Sequence, residues 1–472
     1  MTKLDPTTDE FRAAAHRLVD WIADYYDNPE KHPVLSRVSP GDIERRFATA
    51  ASAEGKSYDA LIGEFESKIL PGITHWNHPS FFAYFSITGS QAGLLGEMLS
   101  AALNVNGMLW KTSPSVTELE TLTLGWLRDA LGLPSNLFGI INDTASINSF
   151  LALAAAREAL GLDIRRKGMT GRDLPPLRVY CSEHAHSSIE KGALALGFGQ
   201  EGVVKIASDE AFRMRPDALA EAIARDRAAG ALPCAIAATT GTTSTGSVDP
   251  VRAIGEIAAR EKMWLHVDAA YGGSAAISPQ NRWLWDGIEY ADSIVTNPHK
   301  WLFTQVDCSV LYTRRPEVLR ETFSLVPEYL KTTDTAEINY MDYGLQLGRR
   351  FRALKLWMVM EHYGTERMRT IVEQHIAFAR RLADELQKRD DVELLAPQSF
   401  SVVVFRRTVR NAAGSVDEGA TERASMELLE RMNASGRVFV SHTRLGGRYG
   451  IRVAIGNGAT EWHHVQQILD LL

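Results

Sequence analysis

Thr296-Asn297-Pro298-His299-Lys300-Trp301-Leu302-Phe303 closes a short apolar run and sets a lysine one step past a Pro-His corner. Upstream, His266-Val267-Asp268-Ala269-Ala270 closes another such run with a carboxylate, and the small residues Gly272 and Gly273 follow. Both runs belong to a series. Residues 178–181, 203–206, 234–237, 264–267, 293–296 and 308–312 all read as short strands. Helical stretches such as 216–229 and 250–261 lie between several of them, the latter with Asp249 as expected N-cap and Pro250 in its first turn. Strands alternating with helices of this length predict a largely parallel sheet covered on both faces. Ligands bind such sheets at the carboxyl ends of the strands, where Asp268 and Lys300 both fall.

Bulk composition narrows the class. The 472 residues exceed one ordinary core and suggest two or three domains. Hydrophobic content of 45% and charged content of 23% are those of a soluble globular protein. A net charge of −7, with no long basic run, argues against nucleic acid as a partner. Nothing approaches the 18 or so consecutive apolar residues of a membrane span. Asp5, Asp9, Glu10, Asp20 and Asp24 do not suit a secretory signal. Cys181, Cys234 and Cys308 lack CxxC spacing, which disfavours a disulfide scaffold or a metal centre. The expected setting is the cytoplasm.

Three regions are expected. In residues 1–85, Phe11, Ala14, Ala15, Leu18, Ile22 and Tyr25 recur at helical spacing, and a second amphipathic stretch runs through Leu61, Phe65, Ile69 and Leu70 to Pro71-Gly72. Such an apolar arm, with little after it to fold upon, predicts packing against a partner subunit. Residues 86–356 carry the α/β pattern, and Ser113-Pro114-Ser115-x-x-Glu118 is expected to open a helix with a capping box. Residues 357–472 read as a small α+β domain. A long helix is marked by Met368, Ile371, Val372, Ala379, Leu382 and Leu386. Strands are expected at 402–405, 438–440 and 451–455, with Thr460 capping a final helix.

The chemistry rests on few side chains. A lysine becomes a nucleophile when burial or nearby cations depress its pKa, and Lys300 sits in a segment short of charge. A buried Asp268 needs a cationic or donor partner, which a protonated ring nitrogen supplies; helix capping is the plainer role. A lysine to bond an aldehyde and an aspartate to hold a pyridinium nitrogen are the two anchors of pyridoxal phosphate. In Ala185-His186-Ser187-Ser188 the imidazole of His186 can lie flat on such a ring or cap the helix that follows, with His184 the nearer candidate for capping. Asp143-Thr144-Ala145-Ser146 opens another helix, whose free N–H groups suit a phosphate. Thr239-Thr240-Gly241-Thr242-Thr243 is either a cofactor contact or a polar turn. Gly197-Phe198-Gly199-Gln200-Glu201-Gly202 fits GxGxxG but lies between a helix and a strand, the wrong order for a dinucleotide site.

In this order the segments resemble the group II pyridoxal-phosphate-dependent decarboxylases, and most closely the aromatic-L-amino-acid decarboxylases of the tryptophan, DOPA and tyrosine type. The resemblance includes Pro71-Gly72-Ile73-Thr74-His75-Trp76, Phe81-Phe82-Ala83-Tyr84-Phe85, Thr117-Glu118-Leu119-Glu120 and Leu347-Gly348-Arg349-Arg350-Phe351-Arg352, besides the segments above. It implies a fold-type I (aspartate aminotransferase-like) enzyme, a homodimer with active sites at the subunit boundary, acting on a small-molecule amino-acid substrate. Lys300 would carry the cofactor, Asp268 face its ring nitrogen and His186 stack on it. Ala145, Ser146, Asn297 and His299 match phosphate-holding positions, and Thr242 and Ala270 positions beside the cofactor. Tyr329 matches the tyrosine of a loop that protonates the substrate carbon; relatives with phenylalanine there form aldehydes. Trp76, Phe85, Ile87, Asn106, Met108 and Gly348 match substrate-pocket positions. At Gly348, glycine goes with indoles in plant relatives and serine with phenols. The resemblance implies decarboxylation to the amine, with an aromatic acetaldehyde synthase or a decarboxylase of a non-aromatic amino acid such as glutamate as alternatives.

Overall fold

A computed structural model describes residues 7–51, 53–325 and 337–472. Among these, seven strands form the larger sheet: β1 (Phe138–Asn142), β2 (Leu177–Ser182), β3 (Val203–Ile206), β4 (Leu232–Thr239), β5 (Trp264–Asp268), β6 (Ser293–Thr296) and β7 (Ser309–Thr313). Their order across the sheet is β1-β7-β6-β5-β4-β2-β3. All pairings are parallel except those of β7, which runs against both β1 and β6. The sheet is therefore mostly parallel, as expected. The reversed β7 brings its first residues to the edge where its neighbours end. Asn142, the last residue of β1, pairs with Ser309, the first of β7.

Both faces of the sheet are buried, and alternation along each strand sorts side chains between them. Val179, Ala237, Trp264 and Leu311 face one apolar core, against the Ala-rich helix Ala145–Glu158 and the helix Ser187–Ala195. Ile236, Ala238, Leu265, Val267 and Val310 face the other, under Pro114–Ala130, Pro216–Ala228 and Val251–Glu261. Burying a side chain of this size contributes about 1.5–3 kcal/mol, so these strands hold the site edge rigid. There the loops after β4 and β5 touch backbone to backbone. Gly241 has φ +92°, and a Cβ on it would lie 2.9 Å from Cα of Gly272.

The smaller sheet is antiparallel, in the order β10-β11-β9-β8, with β8 at Val392–Leu394, β9 at Val402–Arg407, β10 at Ser441–Leu445 and β11 at Arg448–Ala454. The helices Arg352–Gln387, Glu418–Ala434 and Trp462–Asp470 cover it. The first of these breaks at Gly364, whose φ of 65° and ψ of 161° are not helical.

Several local expectations are corrected. The helix begins at Pro114, so Ser113 is its N-cap and Val116, not Glu118, takes the third position; no capping box forms, Ser113 makes no side-chain capping bond, and Glu118 accepts the indole N–H of Trp110 at 2.8 Å. Asp249 does not cap its helix. It is buried and accepts the N–H groups of Met214 and Thr239, each at 2.7 Å, and with burial as the leading cause its carboxyl is pushed up to about 6. Thr460 leaves the cap to Glu461 and donates to the Pro79 carbonyl at 2.6 Å. Residues 438–440 form only a single bridge, Phe439 to Phe81, and the strand begins at Ser441.

The helix Thr8–Asp27 has Ala14 as its buried residue, while Phe11, Leu18 and Val19 stay exposed. In this single chain the apolar stripe is bare. A second bare stripe lies on the helix Gln91–Leu103, where Leu95, Leu99 and Leu103 are each at least half exposed.

Candidate active site

β6 delivers Thr296 to the sheet edge, and a short helix, Pro298–Trp301, carries Lys300 back over it. Pro298 suits the first helical turn because the N–H it lacks would be unpaired there. The Lys300 ammonium is buried, and burial holds its pKa below the usual lysine range; Asp268 opposes this and Arg452 adds to it. Its Nζ stands 5.3 Å from the Phe85 ring centroid. A more weakly basic amine spends more time neutral and nucleophilic.

Asp268 ends β5 and is buried. Its Oδ1 accepts the Ala270 N–H at 3.1 Å. Its other oxygen takes no hydrogen bond among the described residues, which leaves an anionic acceptor beside the small Ala270.

His186 caps the helix Ser187–Ala195: its Nδ1 accepts the Ser188 N–H at 3.2 Å. The plainer role is thus real, and His184 does not take it. With Nδ1 an acceptor, the ring proton resides on Nε2. Burial lowers the pKa of His186, with Asp268 opposing and Lys300 and Lys191 reinforcing.

Lys300, Asp268, His186, Ala145, Ser146, Ala270, Asn297, His299 and Phe85 line one cleft of about 200 Å³. Ala145 and Ser146 begin a helix of 14 residues, and Thr144 caps it by accepting from Ile147 N–H. The Ala145 and Ser146 N–H groups remain for an anion. His299 takes the Cys308 N–H on Nδ1 at 2.8 Å, so its Nε2 is a donor, and burial brings its pKa down to about 3. A helix start with free N–H donors, a carboxylate and a lysine amine all line this one cleft. Thr239 also lines the cleft, and its Oγ1 is buried without a partner. This donor set fits pyridoxal phosphate.

Other predicted residues lie elsewhere. Thr242 is fully buried in a turn, with its hydroxyl 2.8 Å from those of Thr245 and Ser247, and its neighbours Gly241 and Thr243 line the cleft instead. Trp76 stacks on Phe81 at 4.4 Å, and half-buried Ile87 is not on the cleft lining. Asn106 is exposed, not buried; its Oδ1 accepts from Arg349 N–H at 3.0 Å and its Nδ2 lies 3.6 Å from the Met108 sulfur. Gly348 adjoins this pair, since a Cβ there would sit 3.8 Å from the Asn106 Nδ2. Asn106, Met108 and Gly348 form a cluster of their own. Tyr329 lies outside the described residues.

One residue escaped the sequence reading. Arg452, from β11, is 3% exposed and lies over the Phe85 ring at 4.5 Å. It donates to the carbonyls of Thr243 and Tyr84, while its Nη2 is buried without a partner. Burial lowers its pKa to about 10. A charged residue inside the apolar run 451–455 was the available signal.

Comparison with known proteins agrees with this geometry. A family model described as the pyridoxal-dependent decarboxylase conserved domain matches residues 40–408. Tyrosine decarboxylase 3 of Petroselinum crispum is 39% identical over 483 residues, covering 100% of this chain and 92% of that protein. A phenylacetaldehyde synthase of Arabidopsis thaliana is also 39% identical, covering 98% and 95%. The crystal structure of Oryza sativa TDC with PLP and tryptamine superposes with a TM-score of 0.94 at 37% identity, covering 100% of this chain and 98% of that one.

Proposed function

The chain belongs to the pyridoxal-dependent decarboxylase family, and from that premise we propose that it converts an aromatic L-amino acid to the corresponding amine and carbon dioxide. The observation that carries the reading is that Lys300 and Asp268 line one cleft beside a helix N-terminus. Bound pyridoxal phosphate supplies an electron sink for the pair left on the substrate carbon.

The residues divide the work. Lys300, kept weakly basic by burial, would hold the cofactor by condensing with its aldehyde, with loss of water. The free oxygen of Asp268 accepts the ring N–H and keeps that nitrogen protonated. Ala145 and Ser146 backbone N–H groups, with Asn297 and His299, hold the phosphate. His186, with Nε2–H available, packs on the ring and holds a proton near the reacting carbon. Arg452 adds positive charge that attracts the carboxylate-bearing substrate and helps keep Lys300 neutral. Tyr329 is assigned the return of a proton to that carbon. Phe85 offers an apolar wall to a planar side chain.

The second reading, an aromatic acetaldehyde synthase, is favoured by one observation: a relative with that activity is as similar as the tyrosine decarboxylase. Retention of tyrosine at 329 speaks for the amine.

The working form in this reading is a cytoplasmic homodimer. The bare apolar stripes on the helices Thr8–Asp27 and Gln91–Leu103 are surfaces a second copy would cover. Cys181, Cys234 and Cys308 are all buried and unpaired, as suits a reducing compartment. No helix of the described residues is long and apolar enough to cross a membrane.

The test is carbon dioxide release from a panel of the twenty amino acids and DOPA, with amine and aldehyde products measured separately. Amine from tryptophan, tyrosine, DOPA or phenylalanine is expected. Release from glutamate alone, or aldehyde as the main product, would overturn the proposal.

A further inference from the structure

A side-chain amide facing the cleft can present either its carbonyl or its N–H2, and Asn297 has nothing intrinsic that chooses. A phosphate carries acceptors, so only the N–H2 orientation serves it. The choice is made behind the residue. Asn297 Oδ1 accepts the hydroxyl proton of Ser309 at 2.5 Å. Ser309 Oγ accepts from Asn148 Nδ2 at 2.7 Å, and Asn148 Oδ1 accepts from Asn142 Nδ2 at 2.7 Å. All four side chains are buried.

A serine hydroxyl has one proton. While Ser309 accepts from Asn148 it must donate to Asn297, which commits the Asn297 carbonyl inward and turns its N–H2 to the cleft. Reversing Asn297 would bring two N–H2 groups onto Ser309 Oγ and leave the buried hydroxyl proton without the Asn297 carbonyl as acceptor. The fold assembles this relay through its one reversed strand. β7 starts where β1 ends, so Ser309 sits opposite Asn142, and Asn148 lies one turn into the helix that begins at Ala145. The adjacent Cys308 N–H holds His299 in the donor tautomer in the same way.

We infer that Ser309 and Asn148 are positioning residues for the phosphate end of the site, fixing the Asn297 amide as a donor without touching the ligand. This rests on the reading that pyridoxal phosphate occupies the cleft.

The test compares two probes, pyridoxal phosphate and pyridoxal, which share ring and aldehyde but differ in the phosphate. Both are titrated into cofactor-free full-length protein, followed by absorbance, for wild type, Ser309→Ala and Asn148→Ala. The relay predicts binding of pyridoxal phosphate weakened on the order of tenfold in both variants, the loss of one hydrogen bond to a charged group. Pyridoxal binding stays at the wild-type value, which also shows that the variants are folded. Equal weakening of both probes would mean a general structural role and overturn the inference. So would variants indistinguishable from a wild type that binds pyridoxal phosphate normally. A wild type that binds no pyridoxal phosphate would overturn the functional reading and the relay with it.

Discussion

The Lys300 cleft and the Asn106–Met108–Gly348 cluster came from the same sequence reading and ended in different conditions. In the cleft, two cofactor-end side chains are already oriented by hydrogen bonds within the chain, His299 by the Cys308 N–H and Asn297 by Ser309. In the cluster, Asn106 is exposed, and Leu103 and Val105 beside it are bare apolar residues. The difference separates cofactor holding, which needs a rigid sheet edge, from substrate selection, which in this account needs a second copy.

The strongest break of that contrast is Lys300→Ala. It is expected to reduce decarboxylation to background and remove the visible absorbance of the lysine-attached cofactor; a variant retaining either would refute the assignment. Next, Leu95→Glu with Leu99→Glu places charges on the bare helix face. Sedimentation should show monomers, with turnover falling at least tenfold while pyridoxal phosphate still binds. If turnover survives in a true monomer, the substrate end needs no partner. Tyr329→Phe should move product from amine toward aldehyde, hydrogen peroxide and ammonia, and a variant making only amine would contradict the role given to that tyrosine. Gly348→Ser tests the cluster itself, with the ratio of tryptophan to tyrosine turnover shifting a few-fold toward tyrosine and cofactor affinity unchanged.

The smallest effect concerns pH. Burial lowers the pKa of His75 to about 4, with His32 contributing, and the ring bonds to Tyr25 of the first helix at 2.9 Å. Its ordinary value is about 6.5, so between those limits the unfolded chain binds the extra proton. Stability is therefore full above about pH 6.5 and declines toward pH 4. Melting temperatures across that window should fall with pH, and His75→Phe should flatten the slope; an unchanged slope would remove His75 from this account.

What the sequence made legible follows physical cause. β4 through β7 were readable to within two residues because strands buried on both faces appear as continuous apolar runs. β1 was missed, being five residues that contain Gly139 and end in Asn142, and so was β8, a half-buried strand of three. Asp249 imitated a cap because Pro250 follows it, yet its carboxyl group accepts from Met214 and from Thr239 at the end of β4. Residues 438–440 are apolar because they are buried, not because they pair. Lys300, Asp268 and His186 could be found from local context. Arg452 offered only its place as a charge inside an apolar run, and the Asn142–Asn148–Ser309 relay offered nothing, since its partners meet only after the strands are ordered.

The most direct test of the central claim is borohydride reduction of the purified protein followed by peptide mass mapping. The account predicts the pyridoxyl group on Lys300 and no other lysine. A label on a different lysine, or none in a protein that still releases carbon dioxide, would contradict it.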